Sequence, residues 1–152
     1  MALNAALVGR SYPPTAPYQV GREKVREFAS AIGDSNPAYH DVAAARALGY
    51  ADVIAPPTFA FAVAYAGSSQ AAMDPELGLD YSRVVHGEQR FEYARPIVAG
   101  DSLVATATIE AVRAVAGNDI LTTRVDLDTE AGEHVATTYT VIVARGTAEE
   151  AS

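Results

Sequence analysis

The segment at residues 58–70, TFAFAVAYAGSSQ, constrains the fold more than any other part of the sequence. Pro56 and Pro57 precede it, and proline is well tolerated where a helix begins. In the helix that we expect here, apolar residues lie on every side except at the ends. Packing on one face alone would leave the other apolar sides in water. The pattern therefore predicts a central helix that other structure wraps.

The second half of the chain has the patterns of β-strands. Residues 88–94 alternate in polarity, and residues 102–115, 118–129 and 133–145 are long and rich in β-branched side chains. Turn-forming residues at 117–119 and 130–132 separate the last three segments, which favours an antiparallel meander. Residues 12–20 contain prolines that cannot donate to a ladder, so we expect at most an edge strand there.

Two shorter helices are predicted before the central one. Residues 21–32 place Val25, Phe28 and Ile32 on one face, and Gly33 is a natural stop. Asp41 is a good N-cap for a second helix over residues 41–49. A long antiparallel sheet that curves around an apolar helix has the hot-dog architecture, an α+β fold. A generic α+β sandwich with its helices on one face is the alternative. We find no repeat or linker, so residues 1–152 are predicted to be a single domain.

Composition excludes several classes of function. The chain has 152 residues and no cysteine, which rules out a disulfide framework, a thiolate zinc site and a cysteine nucleophile. Its net charge of −8, without a basic cluster, argues against nucleic acid as a partner. No apolar run reaches the roughly 18 residues of a membrane helix. The sequence predicts a soluble cytoplasmic protein with no metal, because its histidines are not spaced as ligands, and with no other cofactor.

The polar connection at residues 33–41 carries the main candidate site. Turn formers, a helix stop and a cap account for nearly all of it without any function, leaving only Tyr39 and His40 unexplained. The alternative is that Asp34 and His40 converge on one substrate as an acid–base pair. Residue chemistry alone leaves both interpretations open. Of the other histidines, His134 is expected to be solvated, and His86 either anchors a loop or lines a site.

The sequence FASAIGDSNPAYH at residues 28–40 resembles the signature of the MaoC-like (R)-specific enoyl-thioester hydratases and dehydratases. Its fixed positions correspond to Phe28, Gly33, Asp34, Asn36, Pro37 and His40. Residues 45–59 are similar to the family's lead-in to its central helix, and residues 86–101 to its first main strand and the following turn. The resemblance covers nearly the whole chain and implies the hot-dog fold.

The resemblance also implies a reaction and its residues. Family members add water reversibly across the double bond of an acyl thioester carried on CoA or acyl carrier protein. By this resemblance Asp34, Asn36 and His40 are catalytic candidates, and a backbone N–H at the start of the central helix polarises the thioester carbonyl. The candidates for substrate binding are Tyr39, Pro57, Thr58, Phe59 and His86.

This sequence departs from the catalytic members in two respects. Their Asp and His are separated by four residues, whereas Ser35 to Tyr39 make five here. Their Ala-His-Gly before the central helix is replaced by Ala55-Pro56-Pro57, and proline has no N–H to donate. Both departures are typical of the substrate-binding, non-catalytic half of a dehydratase, which is a separate chain in actinobacterial-type systems.

The favoured hypothesis is therefore a dehydratase subunit that binds the acyl chain beside a catalytic MaoC-like partner. The alternatives are a self-sufficient homodimeric hydratase that uses Asp34 and His40, and a non-enzymatic acyl-thioester binding protein. A hot-dog thioesterase is the least favoured. The implied partners are an acyl-CoA or acyl-carrier-protein thioester and a second hot-dog subunit, because a single hot-dog leaves a sheet edge incomplete.

Overall fold

The computed structural model describes residues 2–148. Its helices are α1 (Arg22–Ala31), α2 (Val42–Ala47) and α3 (Phe59–Ala72), with three short 3₁₀ turns at Ala5–Leu7, Pro37–Tyr39 and Tyr81–Arg83. Its strands are β1 (Tyr18–Gln19), β2 (Val84–Tyr93), β3 (Ser102–Val115), β4 (Asn118–Thr129) and β5 (His134–Ala144). They form one antiparallel sheet in the order β1-β3-β4-β5-β2.

The sheet curls around α3, which packs against β3, β4 and β5. This arrangement confirms the predicted hot-dog fold. Gly67 lets the helix approach the sheet closely, because a Cβ atom there would lie 3.2 Å from the Cβ of Ala105. The β-branched composition of β3 and β4 and the turn between them predicted their bounds correctly. β4 buries every second residue over most of its length, and β3 does so in its first half.

Two strands differ from their predicted bounds. β2 begins at Val84 rather than at residue 88, because residues 84–86 also pair with β5 before an irregularity in register at Gly87. The prolines of residues 12–20 leave a regular strand only at Tyr18–Gln19. Upstream of it, single bonds from the amides of Tyr12 and Thr15 to β3 carbonyls, 2.9 and 3.0 Å long, hold the segment along the sheet.

One side of α3 is left uncovered by residues 2–148. Phe59, Val63 and Gly67 are buried against the sheet, whereas Phe61 is half-buried and Tyr65 is 53% exposed. The predicted wrapping of the helix is therefore confirmed on the side that faces the sheet, and residues 2–148 leave the side that carries Phe61 and Tyr65 uncovered. No helix among residues 2–148 is both long enough and apolar enough to cross a membrane.

The N-terminal segment closes the far end of the core. Leu3 and Leu7 pack with Ala71, Leu77 and Leu121 in a second apolar cluster. Polar contacts fasten this end: the Asp74 carboxylate accepts hydrogen bonds from the Tyr12 hydroxyl at 2.7 Å and from Arg10 at 3.0 Å.

The buried Asp119 is a second fastening point. One of its oxygens, Oδ2, accepts from the Leu3 amide at 3.1 Å and from the Thr147 hydroxyl at 2.7 Å. A single carboxylate thus holds a residue that precedes the sheet and one that follows it.

Candidate functional site

The polar connection between α1 and α2 is held by its own side chains. The Asp34 carboxylate accepts from the Asn36 amide at 3.0 Å, and the Asn36 side-chain oxygen accepts from the Ala38 amide at 3.0 Å. Asp41 caps α2 by accepting from the Ala43 amide at 2.7 Å. Each of these side chains satisfies a backbone N–H that the turn leaves free. Asp34 and Asn36 therefore have a structural task in this loop.

The His40 imidazole lies beside Asp34 but contacts its main chain. His40 Nε2 is 2.9 Å from the Asp34 carbonyl oxygen. Arg26 donates to the His40 carbonyl at 2.8 Å and fixes the backbone on the other side. Within residues 2–148 no hydrogen bond joins the imidazole to the Asp34 carboxylate. The structure thus brings Asp34, Asn36 and His40 together, with the histidine ring paired to a carbonyl.

Tyr39, the residue before His40, enters the core instead. Its side chain is 8% exposed and packs in the main apolar cluster. Burial, and next to it the negative charge of Asp34, raise the pKa of the Tyr39 phenol. Its hydroxyl has no hydrogen-bond partner in the described part of the chain. Tyr39 is therefore a protonated, unpaired donor at neutral pH.

Tyr39 lines a cavity of about 330 Å³ at the start of α3. The segment before α3 supplies one wall of the cavity and the segment after β2 supplies another. Main-chain bonds from Ala55 to Ile97, 2.8 Å, and from Ala99 to Val53, 2.9 Å, hold these two segments together. The other lining residues are Ile54, Ala55, Pro57, Tyr93, Ala94, Arg95 and Pro96.

Tyr93, at the end of β2, covers the N-terminus of α3. Its hydroxyl donates to the Pro57 carbonyl. Burial raises the pKa of the Tyr93 phenol to about 12, and a hydrogen bond from the Ala60 backbone opposes that rise. Sequence reasoning missed this residue; its only signal is the alternation that points Phe91 and Tyr93 to the same face of the strand.

Arg95 brings a charge to the cavity, but its donors are all engaged. The guanidinium binds both carboxylate oxygens of Asp101, at 2.8 and 3.0 Å, and both of Glu133, at 2.8 and 3.4 Å. Its fifth N–H donates to the Pro96 carbonyl at 3.0 Å. These hydrogen bonds raise the pKa of Arg95, and Arg95 in turn lowers the pKa of Glu133. Arg95 thus holds the segment after β2 against Asp101 and Glu133, and it has no N–H left for a ligand. Sequence reasoning missed it as well.

The start of α3 offers few backbone donors. Pro56 and Pro57 have no N–H, and the Phe59 amide already donates to the Pro56 carbonyl at 2.9 Å. Thr58 is exposed, and its side chain makes no capping bond. Its amide has no acceptor within residues 2–148.

Of the other residues predicted to contact substrate, two lie in a separate surface groove and one lies in the core. Thr58 and His86 line an open apolar groove of about 500 Å³, together with Phe28, Ile32, Phe61, Gln89 and Phe91. The His86 ring lies 5.7 Å from that of Phe61, and its Nε2 is 3.1 Å from the Glu88 carbonyl.

Phe59, in contrast, is fully buried and lines neither the cavity beside Tyr39 nor the groove beside Thr58. Its ring makes edge contacts with Phe28 at 5.3 Å and with Tyr18 at 6.3 Å. The structure thus places Phe59 in the core and not in a surface that could contact a ligand.

His134 is exposed and pairs with Asp128 at 2.8 Å. Among residues 2–148 no group of three or more histidine or acidic side chains is arranged to hold a metal ion.

The sequence is similar to a known protein family and to several actinobacterial proteins. Residues 6–138 match the family model described as "FAS1-like, dehydratase domain region". A UPF0336 protein of Streptomyces coelicolor is 64% identical over 151 residues, which covers 99% of this chain and all of that protein. A UPF0336 protein of Saccharopolyspora erythraea is 53% identical over 99% of this chain and 96% of its own length.

Two solved structures are similar in both fold and sequence. One, described as a MaoC-like dehydratase, superposes with a TM-score of 0.86 and 41% identity over 92% of this chain, which spans 42% of the length of that one. The other is the C-terminally truncated HadBC (3R-hydroxyacyl-ACP dehydratase) complex of Mycobacterium tuberculosis. It has a TM-score of 0.79 and 34% identity, over 90% of this chain and 96% of the other. The chain therefore belongs to the FAS1-like dehydratase region family and is a hot-dog protein of the MaoC-like dehydratases.

Proposed function

We propose that this chain is the acyl-binding, non-catalytic subunit of a (3R)-hydroxyacyl-thioester dehydratase of fatty-acid metabolism. Its partner is a catalytic MaoC-like hot-dog subunit. The complex eliminates water from a 3-hydroxyacyl thioester to give the enoyl thioester, or adds water in reverse. The proposal places this reaction in the cytoplasm, with the acyl group carried on CoA or acyl carrier protein.

The position of the His40 imidazole carries the proposal. A general base must lie within hydrogen-bond reach of the proton that it removes, and a neighbouring group must orient it. In this chain the Nε2 of His40 lies on the Asp34 carbonyl, and the Asp34 carboxylate holds a backbone amide of the turn. The Nε2 contact leaves His40 Nδ1 without a partner within residues 2–148, but no hydrogen bond there joins the imidazole to the Asp34 carboxylate. Because the two groups do not form a hydrogen-bonded acid–base pair, we assign the acid–base chemistry to the partner.

The start of α3 also supports the assignment of catalysis to the partner subunit. Stabilising a thioester oxyanion takes backbone donors aimed at one point. Pro56 and Pro57 supply none, and the Tyr93 hydroxyl occupies the Pro57 carbonyl beside the first turn of the helix. The exposed Thr58 retains an amide and a hydroxyl, but these lie in the open groove with Phe61 and His86.

A partner would complete two unfinished surfaces. β2 is an edge strand of ten residues, and its free side presents unpaired backbone groups. Next to it lies the uncovered side of α3, where the rings of Tyr65 and His86 both lie tilted beside the ring of Phe61. The HadBC protein, which is 34% identical, is described as a complex. An apolar groove between two such subunits would suit an acyl chain.

Activity measured with and without the partner tests the proposal. Hydration of crotonyl-CoA, followed as the loss of enoyl absorbance, is measured for the chain alone and for MaoC-like chains of the same organism that keep the four-residue Asp–His spacing. It is then measured for each mixture. We expect no turnover from this chain, and a gain on mixing with one partner that persists when the chain carries His40→Ala or Asp34→Asn.

The other outcomes would each identify a different function. Turnover by the isolated chain that disappears in His40→Ala would overturn the proposal in favour of a homodimeric hydratase. Binding of acyl-CoA with no turnover in any mixture would instead indicate a non-enzymatic binding protein.

A further inference from the structure

We infer that the cavity between Tyr39 and Tyr93 is a binding site for an uncharged carbonyl group, to which the Tyr39 hydroxyl donates a hydrogen bond. The carbonyl is that of a thioester or of an amide. This inference rests on the proposed function only in supposing that the natural ligand is an acyl thioester, whose carrier arm also contains amides.

The first observation is a hydroxyl donor that has no protein partner. Tyr39 is 8% exposed and lines the cavity, and its hydroxyl makes no hydrogen bond among residues 2–148. This hydroxyl is not one of the fully enclosed polar atoms that lack a partner, so it opens into the cavity. An acceptor on a ligand in the cavity can therefore accept its hydrogen bond in place of water.

The second observation is that the other polar side chains of the cavity are already engaged. The Tyr93 hydroxyl donates to the Pro57 carbonyl. The Arg95 guanidinium is shared between Asp101, Glu133 and the Pro96 carbonyl. Tyr39 is therefore the side-chain donor that remains for a ligand, within the described lining of this cavity.

Charge decides which acceptor fits. Arg95 is neutralised by two carboxylates, and the Asp34 carboxylate lies near enough to Tyr39 to influence its ionisation. An anionic ligand would lose its hydration without gaining a free cation, whereas a neutral carbonyl requires only one donor. Ile54, Ala55, Pro57 and Pro96 offer apolar contact to the rest of such a ligand.

Three ligands of similar size test the inference: S-methyl thiobutanoate, N-methylbutanamide and butanoate. Their dissociation constants are measured by ligand-observed NMR for the unmodified chain, Tyr39→Phe and Tyr139→Phe, after thermal unfolding has shown that the variants fold. Tyr139→Phe is the matched control, because that ring lies on the outer face of the sheet beneath Arg90. The two neutral ligands distinguish a thioester site from an amide site.

We expect Tyr39→Phe to weaken binding of the preferred neutral ligand about three- to tenfold, the usual effect of losing one hydrogen bond. Tyr139→Phe should leave binding unchanged, and butanoate should bind at least about tenfold more weakly than the neutral ligand. Equal affinities for Tyr39→Phe and the unmodified chain would overturn the inference, and so would tight butanoate binding or no binding of either neutral ligand. A partner-dependent gain in dehydratase activity would still stand in those cases, so the two proposals fail separately.

Discussion

The two sides of α3 are alike in sequence and different in the structure. On the inner side Phe59, Val63 and Gly67 are buried against the sheet. On the outer side Phe61 is half-buried and Tyr65 is 53% exposed. An apolar helix sequence therefore indicates that a side is to be covered, without indicating which chain covers it. In the proposed complex the inner side stabilises the fold and the outer side stabilises the assembly.

The largest expected effect comes from truncating one phenylalanine on each side. Phe59→Ala removes a fully buried ring and should lower the free energy of unfolding by about 3–5 kcal/mol. Phe61→Ala removes a half-buried ring two residues away and should cost less than about 1.5 kcal/mol. Urea unfolding followed by circular dichroism measures both. Similar losses in the two variants would contradict the distinction between the two sides.

A smaller effect, on assembly rather than on folding, is expected on the outer side. Tyr65→Ser should change the free energy of unfolding of the isolated chain by no more than about 0.5 kcal/mol. It should weaken association with the partner by about tenfold, since buried tyrosines are frequent hot spots of interfaces. Analytical ultracentrifugation of the mixed subunits gives the affinity.

Leu48→Ser is the matched control, because Leu48 is also an exposed apolar residue but follows α2. If Leu48→Ser weakens association as much as Tyr65→Ser, the partner does not cover the outer side of α3 specifically.

The smallest effect is expected at Asp74, which follows the C-terminal end of α3. Hydrogen bonds from Tyr12, from the Glu76 amide and from Arg10 lower the pKa of Asp74 below its ordinary value. A carboxyl with a lowered pKa in the folded state stabilises it above the unfolded-state pKa, about 3.9. That contribution is lost as the pH falls further, through the folded-state pKa.

Asp74→Asn should therefore be less stable than the unmodified chain at pH 7, and the difference should narrow below about pH 4. Denaturant titrations at several pH values measure it. Glu130→Gln, whose carboxyl makes no ion pair within residues 2–148, is the control. A difference that stays constant down to pH 3 would show that the Asp74 charge contributes nothing.

Patterns of polarity were enough to predict most of the fold. The strands β3, β4 and β5 were predicted within a residue at either end, because these segments are rich in β-branched residues and turn-forming residues separate them. The prediction failed where the relevant contacts are distant in sequence. Residues 84–87 became part of β2 only through pairing with β5, and Arg95 has a role only because Asp101 and Glu133 are folded against it.

The arrangement of the candidate site could be predicted from the sequence only in part, for a local reason. Five residues lie between Asp34 and His40, one more than in the catalytic members, and the resemblance alone predicts His40 as a catalytic candidate. In the structure the 3₁₀ turn at Pro37–Tyr39 directs Tyr39 into the core and leaves the His40 ring on the Asp34 carbonyl. At the spacing of the catalytic members, with four residues between it and Asp34, this chain carries Tyr39. A count of residues cannot tell which of two neighbouring side chains faces a cavity.

The shared contact on Asp119 also has a dynamic consequence. Because Leu3 and Thr147 donate to the same carboxylate oxygen, the segment before the sheet and the segment after it are held by one atom. Opening either segment removes one of that atom's two donors and weakens the site that anchors the other. Fraying at the two ends of the described chain is therefore a coupled event, and slow hydrogen exchange at the Leu3 amide would report on both ends together.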